Sequence, residues 1–169
     1  MPALTRTTFV LLGVLAGVAG LWLWSRTSSG GAVLVDVLEL AGNLPRGLRN
    51  NNPGNIDWIA DPAKRWRGMV RKETPEEGGR FAVFDSPANG VRAIARELQL
   101  DERRGVRTVA GLINNWAPSS ENNTSSYVRA VARELSVEPD DSIDVTAYLP
   151  RLVAAIVRHE NGVQPYSAD

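Results

Sequence analysis

The sequence predicts a mostly α-helical domain of the α+β class, set behind an N-terminal transmembrane helix. Three observations predict this. Four stretches after Ser86 carry apolar residues at helical spacing. The region from Trp58 to Phe84 has only short apolar runs, broken at Glu76-Glu77-Gly78-Gly79. An uncharged run, Phe9 to Trp24, stands apart from everything chemical behind the tether Ser25 to Gly31.

In chain order, the first element is FVLLGVLAGVAGLWLW, flanked by Arg6 and Arg26. With Thr7, Thr8 and Ser25 it reaches ~28 Å at a helical rise of ~1.5 Å per residue, enough for a bilayer core. Trp22 and Trp24 suit the interface, where an indole buries its ring and keeps its N–H wet. The alternative is a secretory signal cleaved after Gly17-Val18-Ala19. Residues 1–26 are therefore read as anchor or signal. Residues 27–44 are a linker with a short amphipathic helix in AVLVDVLEL, and residues 45–169 are the soluble domain. The charges around the run are balanced, so its orientation is not encoded there.

Within the soluble domain, Arg46 to Ile56 (RGLRNNNPGNI) reads as loop from its Asn, Pro and Gly content, and Phe81 to Phe84 as a small strand. Ser86-Pro87 opens a helix with Ser at the cap and Pro in the first turn. Its apolar stripe is Val91, Ile94, Ala95 and Leu98, with Arg92, Arg96 and Glu97 on the wet face. Val106 to Trp116 forms a second helix, stopped by Pro118. Ser125 to Leu135 forms a third, with Tyr127, Val128, Val131 and Leu135 on one stripe. Asp144-Val145-Thr146 leads into the last, whose face is Leu149, Leu152, Val153, Ile156 and Val157 and whose stop is Gly162.

Composition excludes several function classes. Among 169 residues there are 19 Lys plus Arg, 19 Asp plus Glu, no cysteine and one histidine, His159. Zero net charge with scattered aromatics argues against a nucleic-acid partner. The missing cysteines exclude a disulfide framework, a thiolate zinc site and a cysteine nucleophile. What remains is chemistry by carboxylates, hydroxyls and backbone, with no metal or cofactor expected.

The most informative stretch is LVAAIVRHENGVQPYSAD, where an apolar helix ends by delivering one carboxylate, Glu160, ahead of Asn161-Gly162. A carboxylate there meets the negative end of the helix dipole and the apolar core, and both disfavour its charged form. A general acid for a glycosidic oxygen needs that bias, because the departing sugar alkoxide must take up a proton. Taken by itself, the segment also fits an ordinary solvated Glu at a helix end.

VAAIVRHENGVQPYS resembles the stretch of lysozyme-like lytic transglycosylases that usually reads like LAAIARQESGFNPYA, in which the Glu is the catalytic acid/base. Glu160, Gly162, Pro165 and Tyr166 match, and Asn161 stands where Ser is usual. RNNNPGNI resembles the Asn-rich turn of cell-wall glucosaminidases and turns in small virion proteins of bacteriophages. FDSPANGVRAIARELQ resembles the helix that follows, and ENNTSSYVRAVAREL the late motif whose Tyr hydroxyl points at the catalytic carboxyl. The Glu helix comes first in that family and last here, which implies a circularly permuted lysozyme-like fold. Such a permutation is structurally cheap when domain termini lie close together.

The resemblance implies a peptidoglycan lytic transglycosylase with Glu160 as its acid/base. Asn51, Asn52, Asn55, Asn122 and Tyr127 are the candidate substrate contacts. Each has a plainer role beside the functional one. Asparagines shape turns, so one or two of Asn50, Asn51, Asn52 and Asn55 are expected on substrate and the rest in the loop. Tyr127 is equally a core tyrosine, and His159 a solvent-facing histidine. Trp58, Trp66 and Trp116 are core residues or sugar platforms. Arg49, Arg65, Arg67, Arg71 and Lys72 are a solvated face or a surface for the acidic wall polymer. A hydrolase would recruit a second carboxylate from Asp57, Asp61, Glu73 or Asp85. The implied partners are glycan strands and, through residues 9–24, a lipid bilayer, with the soluble domain facing the periplasm or belonging to a phage virion membrane. A membrane-anchored virion protein without turnover is the non-enzymatic alternative.

Overall fold

A computed structural model of the protein describes residues 44–118 and 123–166. The Phe9 to Trp24 run, the AVLVDVLEL segment and Asn122 lie outside the described residues. Among those described, no helix is long and apolar enough to cross a membrane.

The chain enters through a single helical turn, α1 (Arg46–Arg49), where a loop was expected. Leu48 N and Arg49 N both donate to the Pro45 carbonyl and Asn50 N donates to that of Arg46, which closes the turn despite the Asn-rich sequence that follows. The true loop begins at Asn50. Asn51 and Asn55 take left-handed φ values of 51° and 49°, which Asn tolerates better than other residues with a Cβ.

Strand β1 (Met69–Lys72), in a region whose short broken apolar runs give no strand signal, pairs antiparallel with β2 (Ala82–Phe84). Met69 faces Phe84 across the ladder, and the register is irregular between Met69 and Arg71. On the far side of β2, Trp58 N donates to Arg80 O and Ala82 N to Ile56 O, so the Asn-rich turn is stitched into the sheet. Met69, Ala82, Phe84 and Ala93 form a small core beneath it, with Trp58, Ile59 and Trp66 packed alongside.

Four helices follow: α2 (Pro87–Arg103), α3 (Val109–Trp116), α4 (Thr124–Leu135) and α5 (Val145–Asn161). Two starts differ from expectation. Ser86 does not cap α2 with its side chain; its hydroxyl donates to Asp85 Oδ1 instead. Helix α3 begins at Val109 rather than Val106, because the Arg107 carbonyl accepts from Ile143 N and Thr108 bridges to Ser142, so Thr108 becomes the cap and accepts from Gly111 N. Asp144 caps α5 by accepting from Ala147 N, and Gly162 ends it at φ 73°.

The main core joins Ile94 and Leu98 of α2, Leu112 and Ile113 of α3, Val131 and Leu135 of α4, and Leu152 and Ile156 of α5, all at most 1% exposed. Helix α5 packs against α1, α2 and α4, so its C-terminal end is delivered beside the start of the domain.

Candidate active site

Glu160 occupies the last turn of α5 and is partly buried. Both carboxyl oxygens hold a donor. Tyr127 Oη donates to Oε1 at 3.1 Å, and Asn55 Nδ2 donates to Oε2 at 2.9 Å. Tyr127 comes from α4, 33 residues earlier, and Asn55 from the first turn, 105 residues earlier, so packing alone assembles this cluster.

Tyr127 is both a core residue and a partner of Glu160. Its ring is 2% exposed in the stripe of α4 while its hydroxyl reaches the carboxyl. Burial pushes its phenol upward, and the charge of Glu160 and the hydrogen bond to it push further, so it stays a donor throughout the working pH range. His159 is exposed, as a neighbour of Glu160 on a helix should be, yet its imidazole stacks on the Tyr127 ring with centroids 3.6 Å apart. This contact braces the ring from the solvent side.

Three asparagines build the turn that carries Asn55. Asn52 is fully buried; its Nδ2 donates to the carbonyls of Ile56 and Ala82, and its Oδ1 accepts from Ile56 N. It has no surface left for a ligand. Asn51, half-buried, donates to Phe84 O. Asn50 donates to Glu73. From the other end of the chain, Asn161 Nδ2 donates to Pro53 O at 2.7 Å and Val157 O at 2.9 Å, tying the end of α5 to the turn. The approach needs Gly47, since a Cβ there would fall 2.5 Å from Asn161 Oδ1 and 2.9 Å from Asn52 O. Of the four sequence-predicted asparagines in the described residues, Asn55 alone reaches the carboxyl of Glu160.

The turn is locked from below by Glu73, 4% exposed. Its carboxylate accepts from Arg46 Nε at 2.6 Å and from Arg46 Nη2, from Asn50 Nδ2 at 2.6 Å, and from the backbone N–H of Phe81 at 2.9 Å and Arg80 at 3.3 Å. Burial opposes its charge, but the Arg46, Phe81 and Asn50 donors outweigh burial and hold it at about 2. Glu73 therefore fixes the turn rather than serving as a second catalytic carboxylate. Asp61 caps the short 3-10 turn Pro62–Lys64, and Asp85 is engaged by Asn89 and Ser86. Arg65 lies over Trp58 and donates to the Ile59 and Ala60 carbonyls, and Arg71 pairs with Glu77, so these two basic residues are committed within the fold.

Beside the cluster opens a cleft of about 460 Å³. Asn55 and Asp57 line one side, Glu97 and Asp101 of α2 another, and Asn115 and Trp116 of α3 a third. Glu160 is not in its lining; Asn55 joins the two, since it forms part of the wall and donates to Glu160. Asp57, among the sequence candidates for a second carboxylate, does face the cleft, held by Arg80 at 2.6 Å. Glu97, Asp101, Asn114 and Asn115 were missed. Their signal was weak: Glu97 sits next to Leu98 at the edge of the apolar stripe of α2, where a side chain is half-buried. Among the described residues no group of three or more His, Cys, Asp or Glu is arranged to hold a metal ion.

This arrangement fixes one carboxyl in one orientation beside the cleft. A carboxyl steered by a tyrosine and an amide, next to an open polar cleft with an indole in its wall, suits proton transfer to a leaving oxygen on a sugar-like ligand.

No protein-family model matches the chain. Over 125 residues it is 34% identical to Protein P5 of Pseudoalteromonas phage PM2, an overlap that spans 73% of this chain and 76% of that protein.

Proposed function

This chain belongs to the family of Protein P5 of Pseudoalteromonas phage PM2, and we propose that it is a phage lytic enzyme that cuts the glycan strands of bacterial peptidoglycan, with Glu160 as acid/base. The observation that carries this reading is the clamping of the Glu160 carboxyl between Tyr127 and Asn55 at the edge of the cleft. A solvated helix-end glutamate has no reason to recruit a buried phenol and an amide from two separate elements, 33 and 105 residues earlier in the chain.

As a lytic transglycosylase of the lysozyme-like superfamily, the enzyme needs only this carboxyl. Protonated Glu160 gives its proton to the bridging oxygen between N-acetylmuramic acid and N-acetylglucosamine as the C1–O bond breaks. The resulting carboxylate then accepts the proton of the muramic 6-hydroxyl while that oxygen bonds to C1, closing a 1,6-anhydro ring and restoring the acid. The Tyr127 and Asn55 donors keep the carboxyl in one orientation through both transfers. A second reading, hydrolysis to a reducing end, is favoured by the carboxylate of Asp57 in the cleft wall. The apolar run at residues 9–24 would hold the domain at a bilayer, on the periplasmic side of a cell membrane or in a virion membrane.

Purified cell wall incubated with the chain and with Glu160→Gln tests the proposal. Solubilised glycan is expected from the first and a loss of at least ~100-fold from the second. Equal lysis by both would remove Glu160 from the chemistry. Mass spectrometry separates the two reactions, because an anhydro end is lighter than a reducing end by one water.

A further inference from the structure

The cleft contains three carboxylates, Asp57, Glu97 and Asp101. Two are neutralised within the protein: Asp57 by Arg80 at 2.6 Å and Asp101 by Arg104 at 3.1 Å. Glu97 has no ion pair among the described residues, although it is half-buried in the cleft wall. The buried indole N–H of Trp66, which makes no hydrogen bond of normal length, lies close enough to act on it. Exposed amides of Asn114 and Asn115 and the ring of Trp116 share the same cleft. Asn114 Nδ2 donates to Ala110 O at 2.7 Å and keeps its side-chain oxygen for a ligand. A half-buried carboxyl left without a counter-ion in a cleft wall is a group suited to binding a polar ligand.

We propose that Glu97 is a specificity-determining residue of this cleft, donating a hydrogen bond to the acetamido carbonyl oxygen of an N-acetylated saccharide that lies against Trp116 and the Asn114–Asn115 side chains. The inference rests on the glycan-cleaving reading above and assigns its recognition to a residue that takes no part in the proton transfer. Burial pushes the Glu97 carboxyl upward; the Trp66 indole opposes this, the Asp101 carboxylate one turn on adds to it, and Arg104 opposes it. The protonated acid donates to the acetamido carbonyl, which has no proton of its own to offer, whereas the carboxylate has none to give and faces that oxygen as a second acceptor. The other charged groups lining the cleft are Asp57 and Arg80, Asp101 on its own helix and Arg104 just after that helix ends, all in ion pairs.

Titration of the 169-residue chain in detergent with a tetramer of N-acetylglucosamine, followed by calorimetry or NMR, tests this. A Glu160→Gln background prevents turnover. With Glu97 present, affinity is expected to fall as pH rises through the ionisation of Glu97. With Glu97→Gln, which keeps a neutral donor of similar shape, affinity should be nearly independent of pH. With Glu97→Ala it should be weaker by roughly tenfold on the acid side. Binding by Glu97→Ala equal to that of the background, a pH profile unchanged by Glu97→Gln, or no binding of the tetramer at all would each overturn the assignment. Wall lysis that depends on Glu160 would survive any of those results, so failure of this inference is separable from failure of the glycan-cleaving reading.

Discussion

Replacing Glu73 by Gln isolates what holds the site together. The side chain of Glu73 is fully buried, and that of its partner Arg46 is 35% exposed. The Gln amide keeps one acceptor oxygen but turns an NH2 toward Arg46, Asn50 or the Phe81 N–H, all of them donors. Breaking a buried pair from one side typically costs about 3–5 kcal/mol. An independent route gives a similar figure: a carboxyl held at about 2 in the folded protein, against 4.5 for a free one, contributes about 3 kcal/mol to stability. Because the folded value is depressed, that contribution is complete above about 4.5 and disappears as pH falls from there toward about 2. Urea denaturation of the chain and of Glu73→Gln should therefore differ by about 3 kcal/mol at pH 7 and converge in strong acid. The variant should also lose lytic activity beyond its loss of stability, because Asn50 and the turn that places Asn55 are released. Equal stability at pH 7, or a difference that does not shrink with acid, would refute the account of Glu73 as the lock of the turn.

Tyr127→Phe keeps the buried ring and its stack on His159 while removing one donor to Glu160, so it should slow wall lysis by about tenfold with a small change in melting temperature; an unaltered rate would make the phenol merely a core residue. Gly90→Ala reverses a usual sign. Alanine in a helix interior normally stabilises by about 1 kcal/mol over glycine. Here the new Cβ would lie 2.0 Å from the Asn51 carbonyl oxygen, so thermal melting should show a loss of about 2 kcal/mol.

Much of this protein is legible one stretch at a time. Helical spacing in the stripes of α2, α4 and α5 identified those helices because each buries its own apolar face, and that periodicity is a local property. Gly162 announced the end of α5 because a left-handed C-terminal residue is a local requirement. Glu160 was visible as a lone carboxylate closing an apolar helix. Strand β1 was not, since its burial depends on β2 and only Met69 is inward. The start of α3 was misplaced because the rival bonds come from Ile143 and Ser142, more than thirty residues away in sequence.

The asparagine run shows most clearly where the sequence stops. Four similar residues at positions 50, 51, 52 and 55 look interchangeable in one dimension, yet one binds a buried glutamate, one a strand carbonyl, one pins the turn, and one reaches Glu160. The amino-acid sequence alone determined which chemical groups the protein owns and which helices carry them, because propensity and amphipathic period act within a few residues. Only the tertiary structure decided which of those groups meet: contacts spanning 105 and 108 residues depend on how α5 packs beside the first turn, and no short-range pattern encodes that packing.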